Sequence, residues 1–93
     1  MNVAAFQLPC AVHFDNLGEL RQAGESYLDD QAENAVFDLS PLEDCNSAAV
    51  ALLMAWLRYA HAHGVSVVYA HAPVDLVNII EVVGLTGTLP VQA

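Results

Sequence analysis

The sequence predicts an α/β fold: a small mixed sheet of four to five strands packed by three to four helices. Three observations carry that expectation. Two short β-rich segments, 35–39 and 65–70, flank a long helical pattern that begins at Ser47. Such a strand–helix–strand order makes a right-handed parallel crossover. Two further stretches, from Leu17 and from Pro73, show apolar residues at helical spacing. With 56% hydrophobic and 14% charged residues, a chain of 93 residues forms one packed core and is not disordered.

The elements follow in order. Val3–Leu8 reads as a first strand ended by Pro9, and Ala11–Phe14 as a second. So short a separation favours a β-hairpin, although no Asn-Gly type signal sets its turn. Asp15 is the expected N-cap of the first helix, since a carboxylate accepts from free N–H groups of a first helical turn. Leu17, Leu20, Gly24 and Tyr27 or Leu28 form its apolar stripe, with Gly24 ending or bending it. The acidic 29–34 is a solvated connection. Ala35–Leu39 is a buried strand, and 40–45 a loop containing Pro41, Glu43 and Asp44.

The long helix, 46–63, contains the longest apolar run in the chain, Ala48 to Leu57, and Gly64 stops it as a C′ residue. His61 and His63 lie in its last turn, where positive charge suits the helix dipole. Val65–Ala70 is the next strand. Pro73 then opens a last helix as N1, with Asp75 in its first turn; Leu76, Val77, Ile80 and Val82 or Val83 face the sheet, and Gly84 ends it. The 85–91 tail, with Leu89-Pro90-Val91, supplies one short edge strand.

At 100° per residue, Ala49, Val50, Leu53, Leu57 and Ala60 form the core stripe of the long helix. Leu52, Trp56 and Tyr59 widen it. Ser47, Ala51, Met54 and Arg58 lie along another side, where small or flexible side chains let a second protein approach closely; Met makes adaptable contacts and Arg anchors interfaces.

Charge narrows the partners. Two arginines, no lysine and eleven acids leave a net charge of −9. Nucleic-acid binding is driven by Lys and Arg and is excluded, as is adhesion to an anionic membrane surface. A basic protein surface is the natural counterpart. The start, MNVAAFQLP, lacks the basic n-region and apolar h-region of a secretory signal. The ten-residue apolar run 48–57 is short of the roughly 20 residues that cross a bilayer, so no membrane insertion is expected. Cys10 and Cys45 form neither a disulfide framework nor a CxxC motif and read as buried, reduced thiols.

Catalytic, cofactor and metal constellations are missing. His61 and His63 are two apart on a helix and point to different sides, and His13 and His71 stand alone. Neither GxxxxGK[ST] nor GxGxxG occurs, so no nucleotide loop is expected. The acid pairs Asp29-Asp30 and Glu43-Asp44 are loop neighbours, best read as solvated charge. Ser47 has no identifiable base; by itself it reads as a helix N-cap or N1 residue.

The stretch 37–64, FDLSPLEDCNSAAVALLMAWLRYAHAHG, resembles the core of STAS domains, the sulphate transporter and anti-sigma factor antagonist family. These share a strand, a loop, a (D/N)-S/T-small-small-aliphatic motif opening a long helix, a glycine and another strand. Here the motif is Asn46-Ser47-Ala48-Ala49-Val50. FQLPCAVHFDNLGEL resembles the family's opening hairpin and first helix, and APVDLVNIIEVVGLTGTLP its final helix and tail. The resemblance implies one STAS-like domain over residues 1–93.

Two branches compete. In anti-sigma-factor antagonists the Ser at this position is phosphorylated by a partner kinase, which would make Ser47 a phosphorylation site. In the MlaB-type branch the domain is a subunit of the phospholipid-trafficking ABC transporter that maintains outer-membrane lipid asymmetry. There it docks on the cytoplasmic ATPase. The chain is more similar to the second branch, in its ALLMAWLRYAHAHG run and its AP…L…VVGL…LP ending. It departs from the first, which normally has Asp-Ser followed by Ser or Thr and then Gly, by carrying Asn46 and Ala48-Ala49. The resemblance therefore implies a non-catalytic subunit, cytoplasmic and peripheral to the inner membrane through its partner. Asn46, Ser47, Ala51, Met54 and Arg58 are its expected docking surface. No cofactor, metal or nucleic acid is expected.

Overall fold

The computed structural model describes residues 4–92 and follows the order β1 (Phe6–Gln7), α1 (Leu17–Asp29), β2 (Asn34–Asp38), α2 (Ser47–Ala62), β3 (Ser66–Ala70) and α3 (Val74–Val82). Among these residues the sheet has three strands in the order β1-β2-β3, and both pairings are parallel. The expected mixed sheet of four to five strands is thus corrected, while three helices agree with the expectation.

The difference lies at the N-terminus. No hairpin forms. Of the expected first strand, Phe6–Gln7 is strand and Val3 lies outside the described residues. Instead of folding back on β1, 10–12 runs beside 43–46. Glu43 N–H and Asp44 N–H donate to the Cys10 carbonyl at 2.7 and 3.1 Å, and Ala11 bridges Asp44 in parallel. Without a turn that returns the chain, Pro9-Cys10 leads into a crossover, and α1 carries it to β2. At the other edge the tail forms one parallel bridge, Tyr69 to Val91, with Tyr69 N–H donating to the Pro90 carbonyl at 3.0 Å.

Register builds the core. Phe6, Phe37 and Tyr69 occupy one row across the three strands. Their rings meet at 5.5 and 5.4 Å. Trp56 of α2 stacks on Phe37 at 4.6 Å, and Tyr27 of α1 meets the same ring edge-on at 5.3 Å. Both helices therefore cover the face bearing Phe37. The opposite face carries Gln7, Asp38, Asn34 and Ser66 around the half-buried Val36 and Val68, as antiparallel sheets more often do.

Every residue of the expected α2 core stripe is buried, as are Leu52 and Trp56, while Tyr59 is half-buried. Burial also orders the polar atoms. The Trp56 indole N–H donates to the Arg21 carbonyl at 3.1 Å, and the Tyr69 hydroxyl to the Leu53 carbonyl at 2.6 Å. Loss of solvent raises the Tyr69 phenol well above its ordinary range. Gly24 neither ends nor bends α1. It is buried mid-helix with its Cα against the Trp56 ring. Gly64 does close α2, with a φ of 70°.

Tyr27 does backbone work. β1 is too short to pair with all of β2, and Val36 N–H donates instead to the Tyr27 hydroxyl at 3.0 Å, which lies 2.7 Å from the Ala4 carbonyl. One phenol thus continues the ladder across the gap. Tyr27→Phe is expected to cost about 1–2 kcal/mol, because an interior N–H loses its acceptor. For a domain of this size that lowers Tm by about 5–15 °C. An unchanged thermal melt would show that water replaces the phenol without loss.

Several local expectations change. Asp29 ends α1 and Asn34 begins β2, so the 29–34 connection is shorter than expected. The N-cap of α1 is Asn16, not Asp15, and its amide turns back into the preceding loop. Pro73 is the N-cap of α3, and Val74 its first residue. Leu76 and Ile80 are buried and Val77 half-buried, but Val82 and Val83 face outward, because α3 ends as it leaves the core. Cys45 is half-buried and Cys10 exposed, both as free thiols, where two buried thiols were expected. Cys10 is exposed although Leu8 and Val12 on either side of it are buried.

Candidate functional site

The ends of the three strands set the site. The loops after β1, β2 and β3 emerge at the carboxyl edge of the sheet, where α2 and α3 begin. At the centre, Asp38 braces the 40–45 loop: its carboxylate accepts from Ser40 N–H at 3.0 Å and from the Gln7 amide at 3.1 Å. The bond from Ser40 N–H is the main reason that this carboxyl is held below its ordinary range.

Asn46 then caps α2. Its backbone is extended, and its Oδ1 accepts from Ala49 N–H at 3.1 Å. Its Nδ2 donates to the Val12 carbonyl at 2.9 Å, tying the β1–α1 loop to the helix start. An aspartate could supply the first bond but not the second, which gives a physical reason for the amide here.

Ser47 is the first residue of α2 and is exposed, and its hydroxyl has no hydrogen-bond partner among the described residues. Below it on the same strip, Ala51 and Arg58 are exposed and Met54 is half-buried against the core. Arg58 makes no ion pair among the described residues; the other arginine, Arg21, pairs with Glu25 at 3.1 Å. The strip lies opposite the buried Ala49, Trp56 and Ala60 and faces solvent. The structure therefore places Ser47, Ala51, Met54 and Arg58 together on one open helix side. Asn46 is different: both ends of its amide are used internally, so it positions the site rather than presenting a free group.

Neighbouring groups colour this end of the molecule. Cys45 lies close to Asp75 and Asp44, and burial first, then these two charges, raises its thiol above the ordinary range. A raised thiol is a poor nucleophile. His71 takes a positive φ of 59°, turning the chain from β3 toward Pro73. Among the described residues there is no enclosed cavity, no group of His, Cys, Asp or Glu able to hold a metal ion, and no helix long and apolar enough to cross a membrane. Chemically, the site is an exposed hydroxyl at a helix N-terminus above a smooth strip ending in a guanidinium.

One residue at this edge escapes a reading by periodicity. Phe14, expected in a strand, is 79% exposed on the β1–α1 loop. The signal for it was its company, since His13, Asp15 and Asn16 are poor neighbours for a core strand.

The family model described as "Mlab, STAS domain" matches residues 3–91 of the chain. No curated protein matches it.

Proposed function

The chain belongs to the MlaB-type STAS domain family, and from that membership we propose that it is a non-catalytic accessory subunit of a phospholipid-trafficking ABC transporter. It docks on the transporter's ATPase subunit, and so resides in the cytoplasm, peripheral to the inner membrane through that partner. The observation that carries the docking surface is the exposed, unengaged Ser47 hydroxyl at the head of an open strip of Ala51, Met54 and Arg58. Small side chains permit close approach of a second backbone, Met54 adapts its shape, and Arg58 offers a planar five-donor fork to a partner carboxylate or carbonyl.

Ser47 is also where the two readings of the family part. Beside the free N–H groups and positive dipole end of α2, a phosphate is tolerated within this domain. It adds about −1.5 to −2 of charge at the contact. Phosphorylation of Ser47 by a kinase is the central step of the competing reading, in which the chain captures an anti-sigma factor.

The test is a pull-down of the tagged chain from its native lysate with mass spectrometry, followed by titration of the recovered ATPase. Recovery of an ABC ATPase and permease is the expected result. Ser47→Glu and Arg58→Glu should each weaken binding by about tenfold or more, corresponding to about 1.4 kcal/mol. Ser47→Ala tests the hydroxyl alone and should cost less. Wild-type affinity in all three variants would remove this surface. Recovery of a small ATP-binding kinase, with phosphate on Ser47, would replace the transporter reading by the sigma-regulatory one.

A further inference from the structure

We propose that Phe14 is the apolar anchor of the docking surface, and that it seats in an apolar recess of the partner whose rim is basic. The proposal rests on the docking reading above and deepens it by naming the partner's chemistry.

Exposed apolar side chains scattered singly are ordinary. Phe14 is distinguished by how it is held. Asn16 Oδ1 accepts from His13 N–H at 2.9 Å, Asn16 Nδ2 donates to the Ala11 carbonyl at 3.1 Å, and Asn16 N–H donates to the His13 carbonyl at 3.1 Å. Val12 is fully buried, and its carbonyl is tied to Asn46, the residue before Ser47. Phe14 therefore stands at the apex of a braced loop joined to the start of α2, with its ring turned out to 79% exposure rather than onto the core. A large aromatic carried on a backbone that is fixed before binding costs less ordering on contact than one on a loose loop, which suits an interface hot spot. A second exposed apolar residue, Val74, is 71% exposed at the start of α3 on the same edge of the sheet.

Charge decides the occupant. Segments 8–16, 39–47 and 70–76, which form this edge, contain no Lys or Arg. They carry Asp15, Glu43, Asp44 and Asp75, all exposed. A second copy of the chain would bring like charge to like charge, and an anionic lipid surface would be repelled. A protein face with an apolar recess ringed by Lys and Arg satisfies both features at once.

The experiment titrates the ABC ATPase recovered with the wild-type chain against full-length variants, by calorimetry at low and high salt, with melting curves for each. Phe14→Ala should weaken binding by about thirtyfold, as a hot-spot truncation does. Phe14→Asp should weaken it further, Phe14→Tyr should retain it, and wild-type affinity should fall as salt rises. Val82→Asp, at the far end of α3 and 86% exposed in the wild type, should bind normally. If Phe14→Asp binds like wild type while Arg58→Glu weakens binding, the anchor is refuted and the docking reading survives. Salt-independent affinity overturns the basic rim, and loss of binding that tracks a lowered melting temperature overturns the anchor role. Failure of the wild-type chain to bind any ABC ATPase overturns both readings.

Discussion

Gly24→Ala is expected to lower stability by about 2 kcal/mol, even though alanine is the better helix former by about 1 kcal/mol. The position is mid-helix, where propensity alone favours the change. Packing opposes it: a Cβ there would overlap Cε2 and Nε1 of Trp56 and come within 2.6 Å of Cζ2. The indole has nowhere to move. It is fully buried, stacked on Phe37, set edge-on to Phe6 at 5.6 Å, and bonded to the Arg21 carbonyl on the same helix as Gly24. Separating α1 from α2 would also loosen Tyr27 from β2. Thermal melts should show a fall of about 10–15 °C. A larger side chain such as Val at this site should prevent folding. The two residues should be strongly coupled: in a Trp56→Leu background, the cost of Gly24→Ala should nearly vanish as propensity takes over. Equal losses in both backgrounds would mean that the glycine is needed for backbone reasons and not for the ring.

Asn46→Ala should cost about 2 kcal/mol, the sum of a lost N-cap at about 1 and a lost tie to the Val12 carbonyl of similar size. It should also weaken partner binding, because this amide ties the loop that presents Phe14 directly to the N-cap of α2. Asn46→Asp separates the two effects. A carboxylate keeps the bond from Ala49 N–H and suits the positive end of α2. It cannot donate, so its other oxygen would face the Val12 carbonyl. The aspartate variant should keep α2 intact and lose protection from hydrogen exchange in 11–16. Full protection there, with wild-type stability, would show that the tie to Val12 contributes nothing.

This amide also shows how far the site was readable. The strip of Ser47, Ala51, Met54 and Arg58 was legible because a helix repeats every 3.6 residues and its faces follow from spacing alone, whereas the (D/N)-S/T motif was legible only through the resemblance to STAS domains. The reason for Asn at position 46 was not, since its second partner is 34 residues away in the chain. Phe14 was misplaced for a related reason. Ala11–Phe14 offers four residues, three of them apolar, too few to distinguish a strand from a braced loop.

The central β2–α2–β3 unit, the stop at Gly64, the burial of the α2 stripe and the excess of acid were determined by sequence alone, because each depends on local periodicity, local backbone preference or counted charge. The tertiary structure decided the rest. It set β1 parallel to β2 rather than in a hairpin, made a tyrosine hydroxyl stand in for a missing strand, and reserved Gly24 for an indole 32 positions further on. These contacts join residues far apart in sequence, and only the packed chain specifies which distant group meets an open N–H or fills an open space. The pattern of one segment can state that it has a buried face, while the partner of that face belongs to the fold as a whole.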